Sequence, residues 1–228
     1  MHKNFYNKVV IVDTNFLSVD ECQNILNKVY SLRSNWQSDP KFPYLNFLPF
    51  ALYTIPNHEL YVKNVKNYKD LMYDNFKNFY GNLQGKLSSI LDVELSFHDN
   101  LNYPGFHISN GESMDIPNFH TDGFHQLRNI FTGIEKFYFN NCKILSVIIP
   151  LSVVSNEDGL LYRTKHFPEI NRQSLIYDNI LQYTKGMLAI WDGNIQHSMK
   201  PFPIHTCDNL RITLQCHIAL GKKGYIFW

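Results

Sequence analysis

Hydrophobic and polar positions alternate with two periods along this chain, and the change from one to the other divides it. Val9–Val12 is a short apolar run, followed by polar turn residues and then Ser18-Val19-Asp20-Glu21, a serine with glutamate three places on. That pairing predicts a helix start, because each side chain can satisfy a backbone N–H of the first turn. Cys22, Ile25, Leu26, Val29 and Tyr30 then recur at three- and four-residue spacing, the stripe of a helix with one buried face. From Trp36 to Tyr61 the chain is broken by Pro40, Pro43, Pro49 and Pro56, which predicts extended or looping structure. Tyr68, Met72, Phe76, Phe79, Leu83, Leu87, Ile90 and Leu91 restore the helical period. A helix, or two in succession, is predicted over residues 64–91, with Gly81 and Gly85 as a weak point or break.

From Val93 the texture changes to short apolar or alternating runs between turn residues, which is strand behaviour. The runs are Val93–Phe97, Phe119–Thr121, Ile144–Leu151, Gly159–Tyr162, Gly186–Trp191, Ile195–Met199 and Leu210–Ile218. So many short strands predict a two-sheet sandwich or jelly roll, giving a mainly β fold with flanking helices. The organisation expected is one domain over 1–228: an N-terminal strand and helical layer (1–92), a β core (93–219) and a C-terminal tail (220–228). The long connections at 109–118, 123–143 and 163–185 are where lids and substrate contacts are expected.

Composition fits this. At 228 residues, 44% hydrophobic and 15% aromatic, the chain can bury one sizeable core. A formal net charge of +1 with interspersed signs gives no long-range field to gather nucleic acid or an anionic membrane. Cys22, Cys142, Cys207 and Cys216 form no Cys-x-x-Cys pair, so a reducing cytoplasm is the expected home. The first residues lack the apolar segment of a signal peptide, and no apolar run reaches membrane-spanning length.

Candidate chemistry lies in the β half. In Phe119-His120-Thr121-Asp122-Gly123, His120 and Asp122 are two residues apart, so on a strand both can face one metal ion. His197, in Gln196-His197-Ser198, can supply a third ligand. Two imidazoles and one carboxylate on one face of an octahedron leave three positions open, a set suited to non-haem Fe(II). Beyond His197, Arg211 stands in the apolar run Leu210–Leu214, where a permanently charged guanidinium requires an anionic partner such as a small dicarboxylate.

The order His-x-Asp, distal His, then Arg resembles the Fe(II)/2-oxoglutarate-dependent dioxygenases, as does Gly186–Gly193 leading up to His197. The resemblance spans residues 93–219 and implies a double-stranded β-helix with the metal in the mouth between its sheets. It implies Fe(II) on His120, Asp122 and His197, with O2 as oxidant and 2-oxoglutarate as co-substrate, its far carboxylate gripped by Arg211. Thr213, two residues on, resembles the family's second contact to that carboxylate, and the alternative is an ordinary strand threonine. Tyr103 lies where related enzymes carry a polar residue reaching the co-substrate; the alternative is an aromatic strand end. Phe124, His125, Arg128 and Arg163 are substrate candidates by proximity to the motifs. His107, His166, His205 and His217 are expected to be surface or packed histidines, and Trp191 core.

The implied activity is hydroxylation of an unactivated C–H bond with release of succinate and carbon dioxide. A small molecule such as an amino acid or biosynthetic intermediate is the expected substrate, with a peptidyl residue, as in prolyl hydroxylases, the alternative. A nucleic-acid demethylase of the superfamily would carry a second arginine where this chain has His217, and a halogenase would lack the carboxylate of Asp122. A cupin-like metal protein would share the jelly roll and histidines but has no need of Arg211. Oligomeric state is not readable from the sequence.

Overall fold

The computed structural model describes residues 10–39, 42–51, 58–110, 119–122, 142–155, 158–164, 179–200, 210–221 and 223–228. In chain order the elements are β1 (Val10–Asp13), α1 (Val19–Ser31), β2 (Gln37–Asp39), β3 (Phe42–Leu48), α2 (His58–Leu91), β4 (Leu95–Phe97), β5 (Gly105–Ser109), β6 (Lys143–Pro150), β7 (Gly159–Arg163), β8 (Asn179–Gln182), β9 (Leu188–Asp192), β10 (Gln196–Met199), β11 (Arg211–Leu220) and β12 (Gly224–Phe227). The expected capping box opens α1: the Glu21 N–H donates to Ser18 Oγ at 3.2 Å and the Ser18 N–H to Glu21 Oε2 at 2.8 Å.

Helix α2 runs from His58 to Leu91 without a break, starting earlier than the pattern of apolar positions predicts. Gly81 and Gly85 lie on its exposed side, where a side chain would meet nothing within 4 Å, while Met72, Phe76, Leu83 and Leu87 are buried beneath. Packing of that stripe outweighs the roughly 1 kcal/mol each glycine costs a helix. The proline-broken stretch yields β2 and β3, extended as expected. Three strands were not predicted: β5, β8, and β12, which lies within the expected C-terminal tail. Phe119–Thr121, expected as a strand, pairs only through a single bridge between His120 and His197.

A nine-stranded sheet runs β1-β9-β6-β11-β5-β3-β2, with β12 pairing both β11 and β4; a second sheet runs β10-β7-β8. Strand alternation gives the large sheet two distinct faces. Ile212, Leu214, Cys216 and Ile218 of β11, Leu145, Val147 and Ile149 of β6, and Phe106 and Ile108 of β5 join the main core with Cys22, Leu26, Val29, Met72, Phe76, Leu83 and Leu87 of the helices. The intervening residues, Arg211, Thr213, Gln215 and His217 on β11, Ser146 on β6 and His107 on β5, therefore lie on the opposite face. The small sheet covers that face, packing through Leu160 against Ile148, Ala189 and Trp191. Among the described residues no helix is long and apolar enough to cross a membrane.

Candidate metal centre

The edge of the small sheet and the inner face of the large one bring three candidate ligand residues together. The His120 N–H donates to the His197 carbonyl and the His197 N–H to the His120 carbonyl, both at 2.9 Å, so the one bridge between these segments holds the two histidines side by side. Their rings are 4.5 Å apart between centroids. Asp122 extends from the same short segment: its Oδ2 lies 3.2 Å from His197 Nε2 and its Oδ1 3.7 Å from His120 Nε2. One ligand atom from each of the three residues falls within 4.8 Å of the other two.

Neighbours fix these groups. Ser146 Oγ donates to Asp122 Oδ2 at 2.6 Å, a short bond of the kind made to an ionised acceptor. His197 Nδ1 lies 2.9 Å from the Ile195 carbonyl, so the tautomer protonated at Nδ1 donates there and directs the Nε2 lone pair at the centre. Trp191 meets the His197 ring edge-on at 5.2 Å. Burial alone raises the Asp122 carboxyl, but His197, His217 and His120 outweigh it and hold the group well below the ordinary carboxylate range. Burial alone lowers His197; the adjoining Asp122 carboxylate outweighs it and raises the group. A carboxylate kept ionised beside two imidazoles that aim nitrogen at one point fits a divalent transition metal, and nitrogen and oxygen donors in this ratio suit iron.

Farther along the same face, Arg211 is 5% exposed. Its Nη1 donates to the Lys200 carbonyl at 2.9 Å and faces Asp158 Oδ1 at 3.4 Å. Asp158 is itself buried, and its Oδ2 accepts from the Val154 N–H at 2.8 Å. The anion opposite Arg211, expected from a ligand, is already supplied by the protein itself in Asp158. Thr213 Oγ1 accepts from Gln215 Nε2 at 3.1 Å, and both residues lie on β11 between Arg211 and the level of Ser146. The Tyr183 hydroxyl, deeply buried, has no hydrogen-bond partner among the described residues; burial raises it, with Arg211 and Asp158 the charges it feels.

Other candidates fall elsewhere. Tyr103 packs on the helical face, stacked on Tyr80 at 5.0 Å and edge-on to Phe97, so the sheet separates it from the triad. Arg163 pairs across β7 and β10 with Gln196, which puts it on the face of the small sheet opposite His197; its guanidinium lies 3.7 Å over the Phe119 ring. Phe124, His125 and Arg128, like His166 and His205, lie outside the described residues. His107 and His217 are packed histidines: both rings contact Trp228, and burial lowers both, His107 to about 3. Ser146, Asp158 and Tyr183 were missed. Ser146 left a signal, as the one polar residue in the apolar run Ile144–Leu151; Asp158 and Tyr183 meet Arg211 only through the fold.

No family model matches the chain, and no curated protein matches it by sequence. Solved structures match it by fold. An N-substituted L-amino acid dioxygenase from Burkholderia ambifaria AMMD aligns over 96% of this chain and 86% of its own, at 11% identity and a TM-score of 0.56. HygX from Streptomyces hygroscopicus, solved with nickel, 2-oxoglutarate and hygromycin B bound, aligns over 92% of this chain and 83% of its own, at 12% identity and a TM-score of 0.53. The chain has the fold these proteins share.

Proposed function

We propose that this protein is an Fe(II)/2-oxoglutarate-dependent dioxygenase, a single domain built on a double-stranded β-helix, that hydroxylates an unactivated C–H bond of a small molecule. The observation that carries the reading is the meeting of His120, Asp122 and His197 on the sheet face that also buries Arg211. His120 Nε2, His197 Nε2 and an oxygen of Asp122 are the metal ligands. Ser146 restrains Asp122, and the Ile195 carbonyl fixes the His197 ring. Arg211, with Thr213, anchors the far carboxylate of the 2-oxo acid along β11. The chemistry supplied by bound Fe(II) with 2-oxoglutarate and O2 is oxidative decarboxylation to succinate and carbon dioxide, coupled to oxidation of a C–H bond. Trp191 and the apolar residues packed around it keep bulk water from the His197 side. One neighbour named above is a dioxygenase of N-substituted L-amino acids and the other binds hygromycin B, both small molecules, which favours an amino acid or biosynthetic intermediate over a peptidyl residue. Asp122 leaves no ligand vacancy for chloride, so hydroxylation rather than halogenation is the expected outcome.

The test is spectroscopic. Metal-free protein given Fe(II) and then 2-oxoglutarate without oxygen should develop the weak visible charge-transfer band of a chelated keto acid. Arg211→Lys keeps the charge but loses the planar fork, and should weaken 2-oxoglutarate binding by about 1–3 kcal/mol. A folded, iron-loaded protein that shows no band returns the chain to the cupin-like reading.

A further inference from the structure

Arg211 carries its own counter-ion within the protein. Arg211 and Asp158 are both buried, so solvent screens neither, and the two charges cancel before any ligand arrives. Asp158 is also fixed in place: its second oxygen holds the Val154 N–H, and its carbonyl accepts from the Tyr183 N–H at 2.8 Å. Among the described residues, the Tyr183 hydroxyl, which has no hydrogen-bond partner there, and Thr213 and Gln215 farther along β11 are uncharged hydrogen-bonding groups. A carboxylate approaching Arg211 shares one guanidinium with Asp158, and the two like charges repel in a poorly screened interior. An uncharged tail that offers a carbonyl oxygen meets the same donors without that repulsion.

We infer that Asp158 sets the charge at Arg211, so that this site separates 2-oxo acids by hydrogen bonding more than by charge and admits one with an uncharged tail beside 2-oxoglutarate. The inference rests on the reading of the triad as a 2-oxo acid site and specifies that site's selectivity. Asp158 acts through Arg211 and is a specificity-determining residue, distinct from the catalytic ligands.

The experiment titrates the full-length, Fe(II)-loaded protein anaerobically with 2-oxoglutarate and with its 5-methyl ester, following the charge-transfer band and, in parallel, heat of binding. The parent protein should prefer 2-oxoglutarate by less than about tenfold. Asp158→Asn, which removes the charge, should widen the preference by about tenfold or more, chiefly by tightening 2-oxoglutarate. A parent preference well above tenfold overturns the inference without recourse to any variant, as does a preference that folded Asp158→Asn leaves unchanged. Failure of both compounds to bind the iron-loaded protein would instead remove the 2-oxo acid reading beneath it.

Discussion

Asp122 shows how one side chain is prepared for its task by residues distant in sequence. Its Oδ2 accepts from Ser146 and faces His197, while Oδ1 is directed at His120, so the carboxylate cannot rotate freely between its two oxygens. Ser146→Ala removes the 2.6 Å bond. Loss of a second-layer partner of this kind commonly weakens metal binding by about 10- to 100-fold. We expect Mn(II) affinity to fall in that range while circular dichroism stays that of the parent. Ser146→Thr keeps a hydroxyl and should restore part of the affinity; equal Mn(II) affinity in parent and alanine variant would show the bond to be incidental. The three candidate ligands, which the fold brings together, could be picked out of the sequence because a metal demands particular donor types at particular spacings. The partners were less legible, since any hydroxyl at the right point can hold a carboxylate, and only the register of β6 beside β11 puts Ser146 there.

At the scale of elements, periodicity was a good guide wherever an element has one wet face and one buried face. Helix α1 follows its capping box and stripe, and α2 follows Met72, Phe76, Phe79, Leu83 and Leu87. It missed β5, β8 and β12, strands of five residues or fewer. β5, Gly105–Ser109, is buried at every position and so has no wet face. Gly105 is required there because the Trp228 ring occupies the space a Cβ would take, with Nε1 only 2.1 Å from that point. In α2 the packing beneath outweighs the low helix propensity of Gly81 and Gly85, and the helix runs through both. Both lie in open helix surface, so Gly81→Ala and Gly85→Ala should each stabilise the protein by about 0.4–1 kcal/mol. Thermal unfolding of the double variant reads this out, and a lowered midpoint would mean that the exposed side of α2 is covered by a neighbouring surface.

Across the whole molecule, the site adds a polar link between the two sheets to their apolar packing. The segment Phe119–Asp122 meets the small sheet through one bridge, and Asp122 meets the large sheet through Ser146, so a metal ion on His120, Asp122 and His197 would clasp both sheets together. Metal binding is then part of folding stability: at about 100 times its dissociation constant a ligand contributes about 2.7 kcal/mol. For a chain of this size each kcal/mol moves the unfolding midpoint by roughly 2–4 °C. Protons compete for the same atoms. In the metal-free protein, Asp122 has a lowered pKa, so its contribution is present above the ordinary carboxylate value and is lost as pH falls through the depressed one. His197 has a raised pKa; its contribution is complete below the ordinary histidine value of 6.5 and is lost as pH rises through the raised one. A metal must displace the His197 proton, so its stabilising effect grows as pH rises through that same interval. We therefore expect Mn(II) to raise the unfolding midpoint by several degrees at about pH 8 and by distinctly less at about pH 6, with a chelator reversing the gain. Asp122→Ala should abolish the gain at both pH values. A pH-independent gain that survives this substitution would assign the stabilising ion to some other part of the chain.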